Sequence, residues 1–168
     1  HKLSKKGDTL GVYSSKRYGT ISQFDVSIPQ KPLVLYQESG RLIELDFTMS
    51  ENPLPINLYN ENLIRPQFVL HSKLNNGYWI YDASKYQLMH FDKNFQLEFS
   101  SGNILQLTSF NKFTVANLIV DGSRVYLESK ENGILMFDQY AALIKKIALP
   151  QTDNFFVENN TLIFTVGN

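Results

Sequence analysis

Two histidines, His71 and His90, lie within the body of this sequence, and acidic residues recur around them at a fixed spacing. Asp46, Asp92 and Asp138 close the runs RLIELD, QLMHFD and ILMFD, each 46 residues after the one before. Asp82 and Glu128 stand 46 apart as well. Carboxylates at equal intervals can be read as a ring of metal ligands. A carboxylate that ends a strand before a tight turn instead accepts hydrogen bonds from nearby backbone N–H groups, and this is the role expected of Asp46, Asp92 and Asp138. Asp82 and Glu128 read as solvated strand ends. His90, between Met89 and Phe91, reads as a hydrogen-bonded residue of a packed strand, because a general base needs a partner that no local motif supplies. The sequence has no HxH, HExxH or DxDxDG spacing, no GxSxG, no Gly-rich phosphate loop and no cysteine. It therefore carries no signature of a metal centre, an acyl-transfer nucleophile or a nucleotide cradle. No catalytic residue, metal or cofactor is expected.

The elements that must position these residues are repeats. Sliding the chain by 46 places Leu33-Val34-Leu35 on Trp79-Ile80-Tyr81 and on Val125-Tyr126-Leu127. The same shift places Leu45-Asp46 on Phe91-Asp92 and Phe137-Asp138, and the turn IPQK (28–31) on LNNG (74–77) and VDGS (120–123). Each copy carries four short apolar runs separated by Gly, Asn and Asp, the residues that supply positive φ in hairpin turns. YAALIKKIAL is the one stretch with a helical look, and its place in the repeat makes it a fourth strand. Four strands per unit and a period above 40 residues predict an all-β, β-propeller-like repeat of four-stranded antiparallel blades, incomplete within this chain. The division is one propeller segment over 1–168: a partial blade at 1–18, blades at 19–64, 65–110 and 111–156, and a partial blade at 157–168. LGVYS reads as one strand of the first part-blade and NFFVENNTLIFTV as the first two strands of the last.

Sixteen basic residues balance 16 acidic ones, so no net field favours nucleic acid, and no nucleic-acid partner is expected. No apolar run approaches a membrane span. The composition, 43% apolar and 19% charged, is that of a folded domain. The chain opens at His1 rather than Met, from which a native N-terminus further upstream is expected. Asn159-Asn160-Thr161 fits a glycosylation acceptor.

The run SGNILQL, followed by RVYLESKENGILMFDQYAALIKKIALP, resembles a group of uncharacterised β-propeller-like proteins of Bacteroidetes-type bacteria, and LVLYQESGRLIELD fits the same group. The resemblance implies a propeller-like fold and an exported or envelope-associated parent, with no catalytic residues to carry over.

Function is then expected on a face. The loops between second and third strands, and those between successive blades, share one side of a propeller. Here they bring Arg65, Lys85, Tyr86, Phe110 and Lys112, a mixture of aromatic and basic groups suited to a protein or a glycan. A non-catalytic binding or scaffold module is expected, the alternative being a propeller-type glycan hydrolase or lyase with its polar site at the channel. Open blade ends invite self-association, or completion by further blades of a longer chain.

Overall fold

The computed structural model of the chain describes residues 1–74, 76–149, 154–158 and 161–165. Among these, every sheet is antiparallel and made of strands consecutive in sequence. A hairpin of β1 (Lys2–Leu3) and β2 (Thr9–Gly11) comes first, one strand more than the single run expected there. Three four-stranded sheets follow. The first blade is β3 (Gln23–Asp25), β4 (Leu33–Tyr36), β5 (Arg41–Glu44) and β6 (Ile56–Asn57). The second is β7 (Pro66–Ser72), β8 (Gly77–Asp82), β9 (Gln87–Phe91) and β10 (Leu97–Ser100). The third is β11 (Val115–Asp121), β12 (Arg124–Ser129), β13 (Gly133–Phe137) and β14 (Leu143–Ile147). β14 lies within YAALIKKIAL, which is a strand as expected. A hairpin of β15 (Asn154–Glu158) and β16 (Thr161–Thr165) ends the described chain. The acceptor motif at 159–161 falls largely outside the described residues.

Successive residues of a strand face opposite sides of its sheet, so a strand apolar at every position can serve two interfaces. Leu33 and Leu35 of β4 pack with Ile80, Met89 and Phe91 of the second blade, while Val34 and Tyr36 turn the other way, towards Tyr13, Tyr18 and Ile21. In β8, Trp79 and Tyr81 meet Val115, Leu127 and Leu135 of the third blade. Tyr126 and Ile134, on that blade's far side, pack against Phe155 of the last hairpin. The core is thus a series of layers between blades. Side chains also tie inner strands together: Gln23 Oε1 accepts from Val69 N–H at 2.8 Å, and Asp25, buried, from His71 N–H at 2.8 Å.

The aspartates act as expected. Asp46 Oδ1 accepts from the N–H groups of Thr48 and Ser50, Asp92 Oδ1 from Asn94 and Gln96, and Asp138 Oδ1 from Tyr140 and Ala142. In each copy the third residue after the aspartate is left-handed, with φ of 70° at Met49, 59° at Phe95 and 62° at Ala141. Each of these three is also buried. The Thr48 hydroxyl and the Ser50 N–H hold the Asp46 carboxyl below the usual carboxylate range.

One part of the 46-residue alignment needs correction. Across β12 and β13, Leu127 pairs with Leu135 as Ile80 pairs with Met89, so the counterpart of Ile80 is Leu127 rather than Tyr126. Tyr126-Leu127-Glu128, not Val125-Tyr126-Leu127, stands where Trp79-Ile80-Tyr81 does. The cause is the turn. Blades one and two join their second and third strands through four residues, 37–40 and 83–86, while the third uses 130–132 with Gly133 at φ 79°. A three-residue hairpin loop with a left-handed glycine is one residue shorter, and the strand slides to keep its pairing.

Because both Asp138 bonds use Oδ1, Asp138→Asn retains them and Asp138→Ala removes them. Chemical denaturation is expected to give a loss of about 1–2 kcal/mol for the alanine variant and under about 0.5 kcal/mol for the asparagine variant. Equal losses would show that the turn holds without the carboxamide oxygen.

Candidate binding face

The connections between second and third strands and those between blades do meet on one side. Residues 58–65 and 101–114, which link consecutive blades, each open on a short helical turn capped by asparagine. Asn57 Oδ1 accepts from Tyr59 N–H ahead of a 3-10 turn, Leu58–Glu61. Asn103 Oδ1 accepts from Gln106 N–H ahead of α1 (Ile104–Thr108). These turns lie on the neighbouring loops by the same contact, Leu58 N–H to Gly40 O and Ile104 N–H to Tyr86 O, both 2.8 Å. Gly40 and Tyr86 are both left-handed, with φ of 60° and 54°. A Cβ at Gly40 would meet the Tyr59 ring at 2.7 Å, so only glycine fits beneath that tyrosine.

Asp82 is the bracket of this face. It is fully buried and accepts four backbone N–H groups: Ile64 at 2.6 Å on Oδ2, and Arg65, Ser84 and Lys85 at 3.2, 2.9 and 3.2 Å on Oδ1. The expectation of a solvated strand end is therefore wrong for Asp82, which fixes two loops at once. Glu128, also buried, is not its counterpart, since the slip of β12 places Ser129 there.

The five residues expected on this face take different parts. Arg65 is exposed, its backbone N–H held by Asp82. Lys112 is exposed and reaches Glu131 at 3.2 Å. Lys85, half-buried, donates from Nζ to Asn62 O, joining the two loops. Tyr86 and Phe110 pack partly into the core between the second and third blades, and Phe110 stacks on Phe113 with Lys146 Nζ 5.5 Å above its ring. The same connections expose Tyr59 (43%), Ile64 (60%) and Leu107 (46%), which sequence reading missed. The signal was present in Asn57 and Asn103, 46 apart and each opening a helical turn, but both stretches read as irregular loop.

The two histidines go elsewhere. His71 lines a cleft of about 260 Å³ on the opposite side, with Lys31, Glu44, Tyr78 and Lys93. Two of its polar groups are already engaged. His71 Nε2 lies 2.7 Å from Lys31 O, and Glu44 accepts from Asn52 Nδ2 at 2.8 Å. Burial, with Glu44 beside it, pushes the Tyr78 hydroxyl up to about 12. His90 is fully buried in β9 against Trp79 and Phe99. Its Nδ1 is 3.0 Å from Glu98 Oε2, an ion pair whenever the imidazole is protonated, and its Nε2 is buried without a hydrogen-bond partner among the described residues. The interior strand residue expected there is buried, with the Glu98 carboxylate beside one ring nitrogen. Burial holds its pKa below 6.5, against the opposing pull of Glu98 and Asp92. Among the described residues no cluster of three or more His, Cys, Asp or Glu could hold a metal ion.

No family model and no curated protein matches this chain. Among solved structures it is similar to PorZ, an essential bacterial surface component of the type-IX secretion system of Porphyromonas gingivalis, with 18% identity and TM-score 0.59 over 86% of this chain and 19% of that one. It is similar to BamB from Moraxella catarrhalis, with 13% identity and TM-score 0.57 over 87% and 44%. It is also similar to the β-propeller domain of Cps50 (Swd1) from Myceliophteria thermophila, with 12% identity and TM-score 0.61 over 87% and 48%. Identities this low speak for the fold, and the chain spans less than half the length of each of these three. The fold is that of a β-propeller, incomplete within these residues.

Two outcomes follow from the buried polar groups. Asp82→Ala leaves four N–H groups without their acceptor and is expected to cost about 2–4 kcal/mol in denaturant unfolding, with faster proteolysis at 58–65. A histidine whose folded pKa lies below its unfolded value binds its proton more readily when unfolded, so stability is full above pH 6.5 and falls as the pH drops through and below it. The third blade carries Met136 and Ile144 where the second has His90 and Glu98. Transplanting that pair as His90→Met with Glu98→Ile is expected to flatten the slope of stability between pH 6.5 and about 5. An unchanged slope would assign it to other groups.

Proposed function

We propose that this chain is a binding segment of a propeller, divided as the repeat divides it, which holds a protein partner on the face built by residues 37–40, 58–65, 83–86 and 101–114. One observation carries the reading: Tyr59, Ile64 and Leu107 are exposed on connections whose backbones are held fast beneath them. Exposed apolar groups on rigid loops, rimmed by Arg65, Lys85 and Lys112, have the make-up of a protein contact, in which apolar anchors sit inside a charged border. A glycan would need open aromatic platforms. Phe110 is instead roofed by Lys146, and the Tyr59 hydroxyl is committed to Gln37 O and Glu38 O, both at 3.1 Å. PorZ, a structural neighbour described as a bacterial surface component, supports an exported or envelope-associated parent together with the resemblance in sequence.

A photo-crosslinking residue at Ile64 or Leu107, expressed in the native host, is expected to trap one discrete protein. The same probe at Tyr140, exposed on the opposite face, is expected not to trap it. Adducts of equal yield from both faces, or none from Ile64 and Leu107, would overturn the reading.

A further inference from the structure

The two ends of the stack hold complementary halves of one blade. β2 leads into the first strand of the first blade, as β6 and β10 lead into the blades after them, so β1 and β2 are the third and fourth strands of a sheet. Lys2 Nζ donates to Phe47 O at 2.8 Å, and Gly11 sits against Met49, which fixes this half-sheet on the first blade. β15 and β16 follow β14 and pack through Phe155 on the third blade, so they are a first and a second strand.

Where β1 lacks its inner neighbours, the structure has a largely apolar cleft of about 420 Å³ lined by His1, Lys2, Phe24, Val26, Pro29, Pro32 and Met49. Phe24 and Val26 are exposed there, and at the other end of the stack Phe156, Ile163 and Phe164 are exposed on the hairpin. Neither β1 nor β16 has a ladder partner on its second edge among the described residues. Charge is complementary too. Residues 1–18 carry Lys2, Lys5, Lys6, Lys16 and Arg17 against Asp8 alone, while residues 150–168 carry Asp153 and Glu158 and no basic residue.

We propose that this cleft receives the β15–β16 hairpin of a second copy of the chain, with β16 pairing antiparallel to β1. Strands one and two from one copy and three and four from the other then make a complete four-stranded blade. The contact buries both sets of exposed apolar groups and removes both open edges. It joins unlike surfaces, so two copies linked twice close a ring of eight blades, within the range of about four to eight that propellers adopt. This inference stands apart from the protein-binding face.

The absence of native cysteine makes the test direct. Leu3→Cys and Ile163→Cys, each exposed on its half-blade, are prepared as separate proteins, mixed and mildly oxidised. The mixture is expected to form a disulfide-linked dimer, and Leu54→Cys mixed with Ile163→Cys to form little. Light scattering on the unsubstituted chain at about 100 µM is expected to give about twice 19.3 kDa. A monomer there overturns the proposal and leaves the cleft to strands from elsewhere in a longer chain. A dimer in which Leu3→Cys and Ile163→Cys fail to link overturns it in favour of another interface. A monomeric double variant that links within itself overturns the second copy in favour of self-closure.

Discussion

A sheet whose two faces are both apolar must be covered twice, and the rest of this structure follows from that demand. In β4, β8 and β12 side chains of both parities are buried, so no blade can bury its apolar surface alone. The four apolar clusters are accordingly not the interiors of sheets. Each is the contact between one blade and the next, or between an end blade and the segment that flanks it, Tyr13, Tyr18 and Ile21 at one end and the β15–β16 hairpin at the other. Stability in such a stack is a sum over neighbouring layers, and the outermost layers are the ones that lack a neighbour.

Layering of this kind tolerates no slip of register, because a one-residue shift in a strand exchanges its two faces. The third strand and its turn into the fourth hold that register. The pairs Leu45 with Glu51, Phe91 with Leu97 and Phe137 with Leu143 repeat without deviation around the aspartate turns. In the third blade the second strand does slip, and its loop is one residue shorter. The pairing is preserved, and the numbering gives way. Turn chemistry and register are thus adjusted together, with the aspartate turn as the fixed point.

This division explains what could be read in advance. The aspartates, their spacing and the apolar runs belong to the invariant part of the repeat, and from them the four-stranded unit and its antiparallel order were legible. The slip in β12 was not, because a gapless shift still lays apolar residues on apolar residues when both faces are apolar. Asp82 was misjudged for a related reason. Its acceptor role depends on Ile64 and Arg65, contributed by a connection 17 and 18 residues away, which no local pattern reveals. The exposed Tyr59 and Leu107 were hidden because helical turns of four and five residues are too short to show a 3.6-residue period, and Ile64 lies in the irregular stretch after the first of them. Of the five face residues chosen for their chemistry, Tyr86 and Phe110 prove partly internal, since aromatic rings on a loop can be drawn under it as readily as displayed above it.

The two sides of the stack are consequently under different constraints. On one side the aspartate turns repeat almost atom for atom, each committing its backbone donors and a buried left-handed residue to the blade itself. On the other, the links between blades keep only their asparagine cap and first hydrogen bond in common, then run to different lengths, 58–65 and 101–114, and leave different apolar side chains in solvent. Repeat proteins can vary in this way only where the varying segment is not needed to hold neighbouring units together. Here Asp82, Gly40 and Tyr86 hold the loop backbones, so Ile64 and Leu107 above them are left in solvent. The same bonds that make these connections rigid therefore leave their outer surface free to differ from one blade to the next.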